Sequence, residues 1–147
     1  MDYDQLKLSK QICFPVYAAS RLITKEYQPH LDRFGITYPQ YLVLLILWET
    51  NPIAVNDIAK KMILNTNTVT PLLKRMETQG WIRREKNSSD ERKVWIHLTQ
   101  QGIDLKPEIA KIPELLLNGL EGSSIKLEAL FQLRDQLHAM IEALAHK

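Results

Sequence analysis

Residues 37–52 limit what this chain can fold into more than any other segment. Thr37 is placed to cap a helix, Gln40 three residues on can reach back to close a capping box, and Ile36 with Tyr41 supplies the flanking hydrophobic staple. A helix is expected from about Tyr38 to Glu49, with Asn51-Pro52 as its stop. Its run Tyr41-Leu42-Val43-Leu44-Leu45-Ile46-Leu47-Trp48 is apolar on every side, so it has no face to turn to water. Such a helix belongs at the centre of a domain, with other elements packed around it.

The surrounding elements read mostly as helices. A short helix at Val55–Met62, the tight connection Ile63-Leu64-Asn65 and a helix at Thr66–Gln79 closed by Gly80 have helix-turn-helix spacing. On the second of these, Val69, Leu72, Leu73 and Met76 repeat at helical intervals and turn inward, which leaves Asn67, Thr70, Pro71, Lys74 and Arg75 facing out. Segments 81–86 and 93–98 read as two strands, Val94, Ile96 and Leu98 alternating with Trp95 and His97, around a polar loop at 87–92. That is a β-hairpin wing.

Helices are expected on both flanks. Over 5–34, Leu6, Cys13, Tyr17, Ser20, Thr24 and Tyr27 keep a helical repeat, with Pro15 and Pro29 as interruptions and Gly35 as the end. Thr99 caps a helix through about Leu117, bent at Pro107 and Pro113, and a last helix covers 125–145. In the last, Leu130, Leu133, Leu137, Met140 and Leu144 form a coiled-coil-like seam, equally suited to a partner or to an internal core. The expected fold class is mainly α with a small β-hairpin wing: one winged helix-turn-helix domain over 1–147. Its DNA-binding lobe would be 37–99, and 5–34 and 100–147 would be dimerisation helices.

Composition excludes several classes. No stretch reaches the roughly 18 consecutive apolar residues of a membrane span, and Met1-Asp2-Tyr3-Asp4 is acidic, unlike a signal peptide, so a cytoplasmic protein is expected. One cysteine allows neither an internal disulfide nor a cysteine-rich metal site, and His30, His97, His138 and His146 lack ligand-like spacing. No metal or cofactor is expected. Nor is an enzyme, because a thiol peroxidase needs a resolving step for which the chain holds no second thiol.

Net charge is only +2, but residues 74–93 carry +3 and the remainder −1, a modest local excess of the kind a DNA-facing element uses. With the second helix in a major groove, Asn67, Thr68 and Thr70 meet base edges while Lys74 and Arg75 hold phosphates. Arg92 at the hairpin tip reaches the minor groove, its guanidinium oriented by Asp90. Thr66, Pro71 and Arg84 complete the DNA-facing set, and the expected partner is double-stranded DNA carrying an inverted repeat.

The helix order, the segment Asn-Thr-Asn-Thr-Val-Thr-Pro-Leu-Leu-Lys-Arg-Met-Glu at 65–77, and Asp90-Glu91-Arg92 followed by His97-Leu98-Thr99 and Gly102 resemble the MarR family over nearly the whole chain. Within it, residues 8–17, including Gln11-Ile12-Cys13-Phe14, and 36–44 resemble the one-cysteine organic-hydroperoxide sensors called OhrR. The resemblance implies a homodimeric repressor that leaves its operator when one thiol is oxidised. It also assigns the sensing role to Cys13 with Tyr17, Tyr27 and Tyr38.

Read alone, Cys13 is a small buried hydrophobe on an apolar helix. Tyr17 lies one turn further on, but Tyr27 is about 21 Å away along the helix, so it can approach the sulfur only from a partner crossing antiparallel, as can Tyr38. A phenol there would donate a hydrogen bond to a thiolate, the form that attacks an O–O bond. Oxidation gives a sulfenic acid that, lacking a second cysteine, is trapped by a small cellular thiol or oxidised further. Pro15 either kinks the helix or starts it, which would set Cys13 near the positive end of its dipole. A rival reading keeps the fold but has a phenolic or drug-like ligand release the DNA, with Cys13 as filler.

Overall fold

A computed structural model describes residues 2–90 and 92–147. Met1 and Glu91, the latter in the middle of the Asp90-Glu91-Arg92 motif, lie outside the described residues. Helix α1 covers Cys13–Asp32 and α2 covers Tyr38–Glu49. The capping box of α2 is present, Gln40 N–H donating to Thr37 Oγ1 (3.4 Å) and Thr37 N–H to Gln40 Oε1 (3.0 Å). Strand β1 (Ile53–Ala54) leads into α3 (Val55–Met62), then α4 (Thr66–Gln79). Strands β2 (Ile82–Lys86) and β3 (Val94–Leu98) form the hairpin, one residue shorter at each start than expected.

The sheet has three strands rather than two, in the antiparallel order β1-β3-β2. Ile53 pairs with Ile96 and Ala54 with Trp95, and Asn51 Oδ1 accepts the Leu98 N–H at 3.0 Å, so the stop after α2 is also the sheet's outer edge. Two residues are too few to show any alternation, which is why this strand is silent in the sequence.

Leu44, Leu47, Ile58, Val69, Leu73, Met76, Ile82 and Ile96 are fully buried in one core, each contributing on the order of 1.5–3 kcal/mol through burial. Around α2 the burial is incomplete: Leu45 is exposed, and Leu42, Ile46 and Trp48 are half-buried. One flank of the expected central helix therefore faces outward in the single chain. The Trp48 indole donates to the Gly102 carbonyl at 3.0 Å. A Cβ at Gly102 would collide with the Trp81 carbonyl and lie 2.9 Å from Leu98 Cδ2, so only glycine allows this closeness.

The flanking helices depart from expectation in three places. The N-terminal helix starts at Cys13; Asp4–Leu6 and Leu8–Lys10 are separate 3-10 turns, and Leu6 is exposed. Pro15 explains the boundary, because it offers no N–H to the Gln11 carbonyl and its ring would strike that group in a continuous helix. Pro15 thus sits in the first turn instead of interrupting, and α1 also runs through Pro29. After Thr99, whose Oγ1 accepts the Gly102 N–H at 3.2 Å, the single bent helix is three short ones: α5 (Gln100–Asp104), α6 (Lys106–Ile109) and α7 (Ile112–Gly119). Pro107 and Pro113 each fall in the first turn of a new helix. The last helix, α8, is Leu127–Ala145 and starts two residues later than expected. It buries no residue, which removes the reading of its seam as an internal core: Leu133, Met140 and Leu144 are exposed and Leu130 and Leu137 half-buried. Among the described residues no helix is long and apolar enough to cross a membrane.

Candidate functional site

The α3–α4 pair makes its turn at Ile63, which takes a left-handed conformation (φ 56°), and Asn65 then caps α4 by accepting the Asn67 N–H at 2.8 Å. Asn67, Thr68, Pro71, Lys74 and Arg75 are exposed along one face of α4, while Thr66 and Thr70 are half-buried. Pro71 lies within α4 and leaves the Asn67 carbonyl without its usual intrahelical donor. The face is therefore small, polar and basic, with nothing bulky to keep it out of a groove.

The wing stands beside it. Asn87 N–H donates to Lys93 O (2.9 Å), Lys93 N–H to Asp90 O (3.0 Å), and Ser89 N–H to Asn87 Oδ1 (3.0 Å), folding the tip back on itself. Asp90 Oδ1 accepts both the backbone N–H of Arg92 (3.1 Å) and its Nε–H (3.3 Å), while the Arg92 side chain is 94% exposed. An exposed pair of this kind stabilises the fold by no more than about 1 kcal/mol. Its effect is to aim the guanidinium. Arg84 is placed differently: it pairs across the sheet with Ile96, on the same face as Ile82, and is half-buried, its Nε without a hydrogen-bond partner among the described residues. Its backbone N–H donates to Glu77 Oε2 at 2.6 Å, joining the wing to α4.

A second group of chemically distinctive residues lies at the junction of α1 and α2. Tyr27 and Tyr38 meet edge-on with ring centroids 5.3 Å apart, and Tyr41, 5.4 Å from Tyr27 and 5.8 Å from Tyr38, completes a three-phenol cluster. Burial pushes all three phenol pKa values up, most strongly for Tyr41, and Tyr27 adds to the rise at both Tyr38 and Tyr41. These groups stay protonated at neutral pH and serve as donors. Sequence reasoning used Tyr41 as half of a staple and as the start of the apolar run, not as a site phenol. Its spacing of three from Tyr38 on the first turn of a helix is the signal that it belonged with the phenols.

Cys13 is the first residue of α1 and is exposed, so it is not a packing residue of its own subunit. Tyr17, one turn on, is also exposed, with the Arg21 guanidinium 4.5 Å over its ring. The chain brings Tyr27 and Tyr38 together but holds Cys13 and Tyr17 apart from them. Between α1 and α8 runs an apolar cleft of about 390 Å³ walled by Val16, Ala19, Ile23, Tyr38, Leu133 and Leu137. Among the described residues no group of three His, Cys, Asp or Glu is arranged to hold a metal ion.

Residues 36–94 match the MarR family. Over 145 residues the chain is 46% identical to an organic hydroperoxide resistance transcriptional regulator of Bacillus subtilis, covering 99% of this chain and 97% of the relative. Among solved structures it is similar to reduced AbfR bound to DNA, at 37% identity and TM-score 0.82, covering 98% of this chain and 99% of that one. AbfR of Staphylococcus epidermidis is similar at 33% identity and TM-score 0.77, covering 97% and 95%.

Proposed function

Because this chain belongs to the MarR family of transcriptional regulators, we propose that it is a homodimeric repressor that binds an inverted-repeat operator and releases it when an organic hydroperoxide oxidises Cys13. The observation that carries the redox part is the separation of an exposed lone thiol on the first residue of α1 from the buried, protonated phenol of Tyr27, about 21 Å further along the same helix. Each half lacks what the other holds. Two chains crossing antiparallel would complete both sites, with Tyr27 and Tyr38 of one chain facing Cys13 and Tyr17 of the other. The helices of 5–34 and 100–147 would form the seam, and 37–99 the DNA-binding lobe.

The reaction balances without a cofactor. The Cys13 sulfur attacks the hydroperoxide, an S–O bond forms as the O–O bond breaks, and the departing alkoxide takes up a proton and leaves as an alcohol. Sulfur is oxidised by two electrons to a sulfenic acid and the hydroperoxide is reduced. A small cellular thiol then attacks that sulfur, an S–S bond forms, and the hydroxyl leaves as water. The bulk added at the seam would force the helices apart and alter the spacing of the two α4 helices, which must match a DNA repeat of about 34 Å.

On the DNA, Thr66, Asn67, Thr68, Thr70 and Pro71 would line the major groove with Lys74 and Arg75 on phosphates, and Arg92, aimed by Asp90, would enter the minor groove. Arg84 would hold the wing in place from its inner face. The protein would act in the cytoplasm, where promoter DNA and small thiols are both present. Cys13→Ser tests the reading in a gel shift: the variant is expected to bind the operator upstream of its own gene as the native protein does and to ignore cumene hydroperoxide. Release of the variant by peroxide would overturn it.

A further inference from the structure

We propose that Gln40 and Gln79 are positioning residues that transmit movement at the phenol cluster to the end of the DNA-facing helix. In its redox arm this rests on the function proposed above. Gln40 is a polar side chain only 3% exposed, and both ends of its amide are used. Oε1 accepts the Thr37 N–H at 3.0 Å, and Nε2 donates to Gln79 Oε1 at 3.0 Å. Gln79 passes the connection on, its Nε2 donating to the Gly35 carbonyl at 2.9 Å. Rotating the Gln40 amide by half a turn would set donor against donor at Thr37 and acceptor against acceptor at Gln79, so the network has one arrangement.

The capping role alone does not require glutamine. A glutamate at the same position accepts the Thr37 N–H equally well, but it has no N–H to give Gln79. What glutamine adds is the link across 39 residues of sequence to the last residue of α4. The two ends of that link are mechanically distinct. Gly35 and Thr37 lie in the turn between the helix carrying Tyr27 and the helix carrying Tyr38 and Tyr41. On the other side, Gly80 closes α4 with φ +91°, and its carbonyl accepts the Thr99 Oγ1–H at 2.6 Å. A shift of the phenol-bearing turn thus pulls on the α4 terminus and, through Gly80, on the junction with the wing. Gln79 is itself exposed, so water can replace its bonds at small cost to stability. Its contribution is registration between two parts of the molecule.

Gln79→Leu removes both bonds of the link, and Gln40→Glu keeps the cap but removes the donor. Operator dissociation constants are to be measured for the reduced protein and after treatment with hydroperoxide and a small thiol. The reduced values are expected to stay within about 3-fold of native, while the ratio of oxidised to reduced values falls by about 5-fold or more, the scale of an ordinary coupling. A purely structural role would move both constants together, and an unchanged ratio overturns the proposal. A second arm needs no oxidant: amide hydrogen exchange at residues 76–81 in Tyr38→Ala, Gln79→Leu and the double variant. Non-additive effects support the link, and additive ones overturn it. If the native protein keeps its operator under peroxide, the redox reading fails by itself and the exchange arm decides on the link.

Discussion

Tyr41 shows how one side chain ties stability to the chemistry next to it. It is 4% exposed, and burial lifts its pKa above the ordinary tyrosine value of about 10. The folded state therefore favours the neutral phenol. The resulting stability is complete below about pH 10, the unfolded value, and is lost as pH rises through the higher folded value. Tyr27 and Tyr38, also raised by burial, act in the same sense. Tyr41→Phe is expected to change stability at neutral pH by no more than about 1 kcal/mol, yet to fall less steeply between about pH 9.5 and 11.5. Urea unfolding at a series of pH values checks both; an alkaline slope as steep as native would refute the assignment.

At the scale of elements, α4 separates two functions by face. Val69, Leu73 and Met76 anchor it in the core, while Lys74 and Arg75 stand clear of every packing role. Lys74→Ala and Arg75→Ala are each expected to weaken operator binding uniformly across sequences and to lower the slope of log affinity against log salt by about 1, with the melting temperature unchanged. Fluorescence anisotropy over a salt series provides the measurement; a sequence-dependent loss would instead place the side chain on a base. This face was legible in the sequence because a helical repeat of Val69, Leu72, Leu73 and Met76 fixes which residues remain outside. The caps at Thr37 and Thr99 were legible from local spacing too, whereas Asn65 was read only as part of a connection and its cap was missed. What stayed hidden depends on contacts distant in the chain. Ile53–Ala54 becomes a strand only against Ile96 and Trp95, and Arg84 turns inward only because its register pairs it with Ile96. The start of α1 was misread because apolar spacing continued through Leu6 while Pro15 already forbade the preceding turn.

For the whole molecule, the question is why so much apolar surface remains uncovered. Tyr17, Leu22 and Ile23 on α1 and Leu133, Met140, Ile141 and Leu144 on α8 are all exposed, and α8 buries nothing. Exposed apolar residues scattered singly are ordinary, but two long helices lined with them around a common cleft are what the proposed dimer seam would cover. Leu137→Asp, which puts a charge in that cleft, is expected to shift the protein from dimer to monomer in sedimentation equilibrium and to weaken operator binding by at least about 10-fold, since one half-site alone remains. A variant that stayed dimeric would move the interface elsewhere.

The aromatic residues of the chain are divided by location. Trp48 on α2 donates to the Gly102 carbonyl, Trp81 adjoins the end of α4, and Trp95 pairs with Ala54 in the sheet. None lies on α1 or α8, whose aromatic residues are Phe14, Tyr17, Tyr27 and Phe131. A change in tryptophan emission on oxidation would therefore report movement that has left α1 and reached α2 or the wing.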